Sequence, residues 1–357
     1  MVLMTHPAVP LENTMPTGKK KIAVAMSGGV DSSVTAHLLA QAGHELVGFT
    51  AWTLNGPGKC CNDALVNAGR VCERLGIPYD TVDLRAEFAH YVMDYYHDSY
   101  AAGLTPNPCV ECNQYVKWEL LVKYARETYG VDYVATGHYA QIDRSNESPV
   151  VFRSVDTRKD QTYMLARVSP EDFEYALFPL GHMTKPEVVQ IAKAVDIPEA
   201  DGKESQDICF VLDGHANYMN QVFGKQPGPI VDLDRNMVLG EHQGFFGFTV
   251  GQRRGLNVSA NRPVYVVKVD PKTNTVYVGD EAHLMSSRFT VFNPRWVQPT
   301  IWDTLQKNGE LTVQVKYRYN TPPSEATVRP GETPDSLVVE TATPVKAITP
   351  GQIAAFY

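Results

Sequence analysis

Eight residues constrain this chain more than any others: Met26-Ser27-Gly28-Gly29-Val30-Asp31-Ser32-Ser33. The apolar run Ile22–Ala25 before them reads as a short buried strand. Val34, Ala36, Leu38, Leu39 and Ala40 after them read as the buried face of a helix. A strand, a Ser-Gly-Gly turn and a helix start together make an anion site. Glycines let the backbone come close to a phosphate, and the first N–H groups of the helix point at it. The hydroxyls of Ser27, Ser32 and Ser33 are expected to add hydrogen bonds. Asp31 alone would repel phosphate, so its expected task is to hold Mg²⁺ that bridges the phosphates. No Gly-Lys-Ser/Thr follows the glycines and Gly-x-Gly-x-x-Gly is absent, which sets aside a Walker loop and a dinucleotide fingerprint.

The loop resembles the pyrophosphate loop of the ATP pyrophosphatases, written Ser-Gly-Gly-x-Asp-Ser. That resemblance implies cleavage of ATP between its α and β phosphates, with the AMP part activating a carbonyl oxygen. The competing account is an ordinary glycine turn capped by serine.

A length of 357 residues predicts two or three domains. No apolar run reaches the length of a membrane span, so no membrane partner is expected. Residues 1–18 contain Pro7, Pro10 and Pro16 without an apolar centre. They read as a disordered tail, not a signal peptide, and a cytoplasmic location is expected. The net charge of −8 arises in residues 1–235, since 12 Lys+Arg against 10 Asp+Glu leave 236–357 slightly basic. Any attraction to nucleic-acid phosphate must therefore be local.

Residues 19–212 open with alternating strands and helices. Strands are predicted at Ile22–Met26, Glu45–Trp52, Tyr79–Asp83 and Tyr133–Thr136, and helices at Ser32–Gln41, Asp63–Leu75, Arg85–Ala102 and Gln114–Tyr129. This is the α/β pattern of an open parallel sheet, in which ligands bind at the carboxyl ends of the strands. From about residue 215 Gly and Pro become dense and short alternating segments appear, including Val264–Val269, Thr275–Val278, Leu311–Tyr317 and Ser336–Thr341. A small β-rich domain over 213–282 and a second β domain over 283–357 follow. The chain stops within an apolar run, Ala354–Tyr357, as a truncated last strand pair would.

Six cysteines are present without a secretion signal, which argues against a disulfide framework and leaves metal, redox or sulfur chemistry. Cys72 lies in a helical pattern with Val71 and Leu75 and reads as core. Cys109 and Cys112 form a Cys-x-x-Cys pair in a loop stiffened by Pro106 and Pro108. A four-ligand zinc site would have to recruit Cys60 and Cys61, which as neighbours suit one tetrahedral ion poorly. A redox pair or a sulfur-handling cysteine is the other option, with Cys209 as its partner. His90, Tyr91, Tyr95, Tyr96 and His97 read as an amphipathic helix face.

Seven stretches then make the chain resemble the tRNA-specific 2-thiouridylase family in its Cys-x-x-Cys form. They are Ala25–Ser32, Asn107-Pro108-x-x-x-Cys112-Asn113, Ala135-Thr136-Gly137-His138-Tyr139, Lys159-Asp160-Gln161, Asp207-Ile208-Cys209-Phe210, Phe248–Leu256 and Thr349-Pro350-Gly351-Gln352. They run in family order across nearly the whole chain. The resemblance implies an ATP-pyrophosphatase domain, a small central domain and a C-terminal β-barrel. It implies that Ala25, Met26, Ser27, Gly28, Gly29, Val30, Asp31 and Ser32 bind the ATP pyrophosphate, while Ala51 and Gly137 line the adenosine site. Asn107, Pro108 and Cys109 would meet the target base. Cys112 would be the catalytic cysteine, and Cys209 would carry sulfur as a persulfide. His138, Lys159, Asp160, Gln161, Arg318, Tyr319 and Gln352 would contact tRNA. The implied reaction replaces the 2-oxygen of the wobble uridine with sulfur, using ATP, Mg²⁺ and a cysteine desulfurase or sulfur-carrier protein as donor.

Two departures from the family pattern matter. Many members carry Asp, a candidate proton-transfer group, where this chain has Cys109, and a larger apolar residue where it has Ala51. With that extra thiol, Cys109, Cys112 and Cys209 could instead hold a 4Fe–4S cluster whose open iron takes the sulfide. An amide-forming synthetase built on the same loop is one remaining rival, and a non-catalytic tRNA- or zinc-binding protein that retains the ATP fold is another.

Overall fold

The computed structural model describes residues 9–55, 62–145, 147–197 and 208–357. Cys60, Cys61 and Asp207 fall outside them. The first unit is built on β1 (Lys21–Ala25), β2 (Glu45–Trp52), β3 (Tyr79–Asp83) and β4 (Tyr133–Ala135), followed by a hairpin of β5 (Ala140–Asp143) with β6 (Val150–Arg153), and by β7 (Ala176–Leu177). The main sheet is parallel throughout and ordered β3-β2-β1-β4-β7. Ile22, Ala23 and Val24 are wholly buried, as a strand covered by helices on both faces requires. The order reverses beside β1. The loops that leave β1 and β4 therefore flank a crevice at the sheet's carboxyl edge, the place where open α/β sheets bind ligands.

The four strands predicted for this sheet are present to within a residue at their ends, whereas the one predicted at Ser336–Thr341 runs on to Lys346. β7 has two residues, too few for any periodicity to show. The predicted helix at Gln114 starts earlier, at Pro108. Asn107 caps it, its Oδ1 accepting from Val110 N at 3.3 Å, and proline at the first helical position costs no hydrogen bond. That helix widens to π geometry over Cys112–Leu120, and the helix beginning at Arg85 does so over Ala89–Asp94. Tyr91 stacks on Tyr115 between the two widened stretches, ring centroids 4.6 Å apart. Such π segments recur at functional sites.

The tail expectation is corrected for residues 9–18. Val9 is buried and donates its N–H to Gln141 Oε1 at 2.9 Å. Leu11–Thr14 forms one helical turn that ends on a buried Thr14. These contacts outweigh the prolines, which only forbid a longer helix.

The second unit pairs the helix His215–Phe223 with a four-stranded sheet of β8 (Gly228–Asp232), β9 (Met237–His242), β10 (Tyr265–Asp270) and β11 (Thr275–Gly279), ordered β10-β11-β8-β9. Its two hairpins are antiparallel as expected, but β11 and β8 join them in parallel. The third unit is an antiparallel sheet of β12 (Met285–Phe292), β13 (Leu311–Lys316), β14 (Ser324–Pro330), β15 (Ser336–Lys346) and β16 (Ala355–Phe356), ordered β12-β15-β14-β13-β16. The apolar run at its end is spent on pairing. β16 pairs with β13, and Tyr357 exchanges both backbone hydrogen bonds with Gln314. Aromatic packing joins the first two units: Tyr96 is buried against Phe210 and His215, with centroids 5.2 and 5.9 Å away.

Candidate active site

Gly28 adopts φ +71°, and a Cβ there would lie 2.5 Å from the Ala64 carbonyl oxygen. Only glycine permits both. Gly29 then caps the helix Val30–Gln41 without any side-chain hydrogen bond, which leaves its first-turn N–H groups uncapped. The serines divide the remaining work. Ser32 and Ser33 are buried and donate to the Gly29 carbonyl at 3.1 and 2.9 Å, and Ser32 Oγ also accepts from Ser27 N at 3.1 Å. These bonds shape the loop. Ser27 alone is exposed. Ala25 ends β1, and Met26 is buried with its carbonyl accepting from Thr50 Oγ1 at 2.7 Å.

Asp31 shows what the sequence reading missed. Both its oxygens accept from Lys185 Nζ, at 2.8 and 2.9 Å, and Oδ1 also accepts from Tyr139 OH at 2.9 Å. Lys185 begins the helix Lys185–Ala194, where the helix dipole disfavours a cation. Two carboxylates offset that cost, because Lys185 N also donates to Asp156 Oδ2 at 3.1 Å. The helix start was signalled by Thr184-x-x-Glu187, whose capping box forms, and by Pro186.

Gly137, after β4, abuts the same turn. A Cβ there would lie 2.8 Å from Asp31 C and 2.9 Å from Ser32 N. Ala51 is half-buried near the end of β2. His138 turns inward: it is 9% exposed, tilted 37° to Trp118 at 6.4 Å, and within 2.7 Å of Thr136 Oγ1 through Nδ1. Burial, helped by the Lys117 charge, lowers its pKa to about 3. The imidazole is therefore neutral and enclosed.

Cys109 is exposed, and Cys112 and Cys209 are half-buried against the main core. Asn113 Nδ2 donates to Cys109 O at 2.9 Å. Phe210, next to Cys209, meets Tyr96 edge-on, and the Cys109 thiol is close enough to help burial raise the Tyr96 pKa. Tyr96 thus brings the neighbourhoods of Cys109 and Cys209 together. Cys72 is core as expected, and burial pushes its thiol up to about 11. Between the paired cysteines lies Glu111, a buried carboxyl that sequence reasoning passed over. Its Oε1 is 3.5 Å from Arg167 Nε; burial raises its pKa although Arg167 and Arg295 oppose the rise.

Hydrogen bonds and a short stretch of backbone connect the two chemistries. Tyr139 bonds Asp31 through its hydroxyl, and its backbone N–H donates to Gln161 Oε1 at 2.9 Å. Gln161 N donates back to Tyr139 O at 2.9 Å. Two residues on, the buried Tyr163 hydroxyl meets the side chain of Asn107, the cap of the cysteine helix.

The other expected tRNA contacts separate. Lys159 is half-buried at the rim. Asp160 is buried, accepting from Ser154 N at 3.1 Å and Thr162 Oγ1 at 2.8 Å. Arg318 donates to Val250 O at 2.8 Å and to Thr349 Oγ1, and burial lowers its pKa. Tyr319 flanks Lys316, whose Nζ lies 5.2 Å from the ring centre. Gln352 Nε2 donates to the carbonyls of Thr105 and Pro106. Asp160, Arg318 and Gln352 are thus engaged inside the protein.

One carboxylate, Asp31, at a phosphate-binding turn fits Mg²⁺ carried in on ATP, since that ion takes one or two carboxylates plus phosphate oxygens. A cluster does not fit: among the described residues no three His, Cys, Asp or Glu side chains are grouped as a metal site.

Comparison with known proteins agrees with the three-part architecture. Residues 20–213 match a family model described as a tRNA methyl transferase HUP domain, 216–280 a tRNA methyl transferase PRC-barrel domain, and 286–357 an aminomethyltransferase beta-barrel domain. The tRNA-specific 2-thiouridylase MnmA of a Synechococcus species is 40% identical over 100% of this chain and 96% of its own length. That of Chloroflexus aurantiacus is 42% identical over 94% of each chain. Among solved structures, a tRNA thiolase NcsA from Methanococcus maripaludis that holds an iron–sulfur cluster aligns with a TM-score of 0.38 and 19% identity, covering 58% of this chain and 66% of that one.

Proposed function

This chain belongs to the tRNA-specific 2-thiouridylase family, and on that premise we propose that it replaces the 2-oxygen of the wobble uridine of tRNA with sulfur at the expense of ATP. Uracil O2 attacks the α-phosphate of ATP and pyrophosphate leaves, so a poor leaving group becomes AMP. The terminal sulfur of a Cys209 persulfide adds to C2 and AMP departs. The Cys112 thiolate then attacks Cys209 Sγ, breaking its bond to the transferred sulfur. The products are the thiocarbonyl and a Cys112–Cys209 disulfide, which a cellular thiol reductant reopens.

The observation that carries this reading is the path from Asp31 through Tyr139 to Gln161 by hydrogen bonds, then along two residues of backbone to Tyr163, whose hydroxyl meets Asn107. It ties a phosphate-binding turn to a loop bearing thiols. In this reading Ser27, Gly28, Gly29 and the first turn after them cradle the pyrophosphate. Lys185 releases Asp31 and turns its ammonium to the departing phosphates. Asp31 would hold Mg²⁺, and the ion would supply neutralising charge when bound. Gly137 and Ala51 leave room for the adenosine. The flipped base reaches Asn107, Pro108 and Cys109, and Lys159 and Tyr319 stay on the tRNA side. The sulfur donor is a cysteine desulfurase or carrier protein in the cytoplasm. Among the described residues no helix is long and apolar enough to cross a membrane.

The test is reconstitution with tRNA, ATP, Mg²⁺, cysteine and a desulfurase. One AMP per 2-thiouridine, measured by nucleoside mass spectrometry, is expected. AMP release that ignores tRNA, or amide formation with ammonia, would overturn the reading in favour of an amide synthetase.

A further inference from the structure

We infer that Gln352, with Gly351, is a positioning residue: the turn 349–352 of the third unit holds the backbone of residues 105–107 where Cys109 and Cys112 must stand. This deepens the thiouridylase reading and rests on it for the purpose of the loop, though not for its geometry. Residues 105–107 lie between two helices and belong to neither. Pro106 and Pro108 have no N–H, so the segment can do little to satisfy its own carbonyls, and buried backbone groups need partners. The partners come from the far end of the chain. Thr105 N donates to Pro350 O at 2.8 Å. Gln352 Nε2 donates to Thr105 O at 2.7 Å and to Pro106 O at 3.3 Å.

Gly351 makes that approach possible. It adopts φ +93°, and a Cβ there would lie 2.8 Å from Thr105 N and 2.9 Å from Leu104 Cβ. Two further contacts anchor the turn. Tyr163 OH donates to Ile353 O at 2.9 Å while meeting Asn107. Arg318 joins Thr349 to Val250 of the second unit. The third unit therefore meets the first at the segment that leads into the cysteine helix, the second unit is tied to the same turn through Arg318, and Gln352 donates to protein carbonyls there.

The test is timed alkylation of the fully reduced full-length chain with iodoacetamide, read cysteine by cysteine by tandem mass spectrometry. Half-buried Cys112 reports the loop, exposed Cys109 the intrinsic rate, and buried Cys72 any global opening. Gln352→Met keeps the side-chain length but removes the donor. Gly351→Ala keeps the Gln352 amide but blocks the close approach. Both should speed Cys112 alkylation relative to Cys109 by roughly three- to tenfold, the effect of losing one or two neutral hydrogen bonds. Cys72 should stay protected, and tRNA Kd should hold within about twofold while thiolation kcat falls. Unchanged Cys112 alkylation in both variants would overturn the proposal. So would Cys72 reacting faster in step, or weaker tRNA binding by Gln352→Met with the loop undisturbed, which would make Gln352 a tRNA ligand. Alkylation needs neither ATP nor tRNA, so a wild-type protein inactive in thiolation would refute the functional reading and leave this one standing or falling by itself.

Discussion

Acid should destabilise this protein through His138, and the size of the effect follows from its burial. The imidazole is enclosed beside Trp118 and Phe178, and its pKa falls from 6.5 to about 3. Between those values the unfolded chain binds a proton that the folded chain refuses, so stability rises with pH across that window and falls as pH drops through it. From about pH 7.5 to about pH 5 the loss through this one group is about 2 kcal/mol, since each full unit inside the window is worth about 1.4 kcal/mol. His138→Asn removes the titration. It also costs a constant amount through the lost ring, so the difference in pH slope, not the offset, carries the information. The assay is urea unfolding of both proteins at several pH values, paired with NMR titration of the His138 ring. The wild type should lose about 2 kcal/mol more than the variant over that range. Equal slopes, or a ring that titrates near 6.5, would refute the argument and restore His138 as an accessible group able to meet phosphate.

Three further outcomes follow from the site. Lys185→Met should lower tRNA-dependent AMP formation roughly ten- to a hundredfold, the worth of one charge-assisted hydrogen bond to phosphate; a rate within about twofold of wild type would remove Lys185 from the phosphate site. Gly28→Ala should lower both the thermal midpoint and the ATP affinity, because at φ +71° its Cβ meets the Ala64 carbonyl, and an unchanged midpoint with normal ATP affinity by calorimetric titration would contradict this. Cys112→Ser and Cys209→Ser should each stop thiolation, whereas Cys109→Ser should only reduce it and leave the iron content of anaerobically purified protein unchanged. Joint loss of iron and activity in Cys109→Ser would point to a cluster.

Much of this protein is written in short stretches of its sequence. Strands show as buried apolar runs such as Ile22–Ala25 because a parallel strand is covered on both faces. The phosphate turn shows because only glycine tolerates the backbone of Gly28, and the cysteine pair because thiols are rare outside cores and reactive sites. Those signals are local, and they carried the sheet, the loop and the order of the motifs. Which partner a polar side chain takes is not local. Asp31 lies 154 positions from Lys185, and Gln352 lies 247 from Thr105. Residues expected as ligands for tRNA or phosphate, His138, Asp160, Arg318, Gln352 and Ser32, also hydrogen-bond to groups of the protein itself. A motif names the residue types a site needs, but hydrogen-bonding atoms are consumed by whatever packing brings within about 3 Å, and only the assembled units determine that.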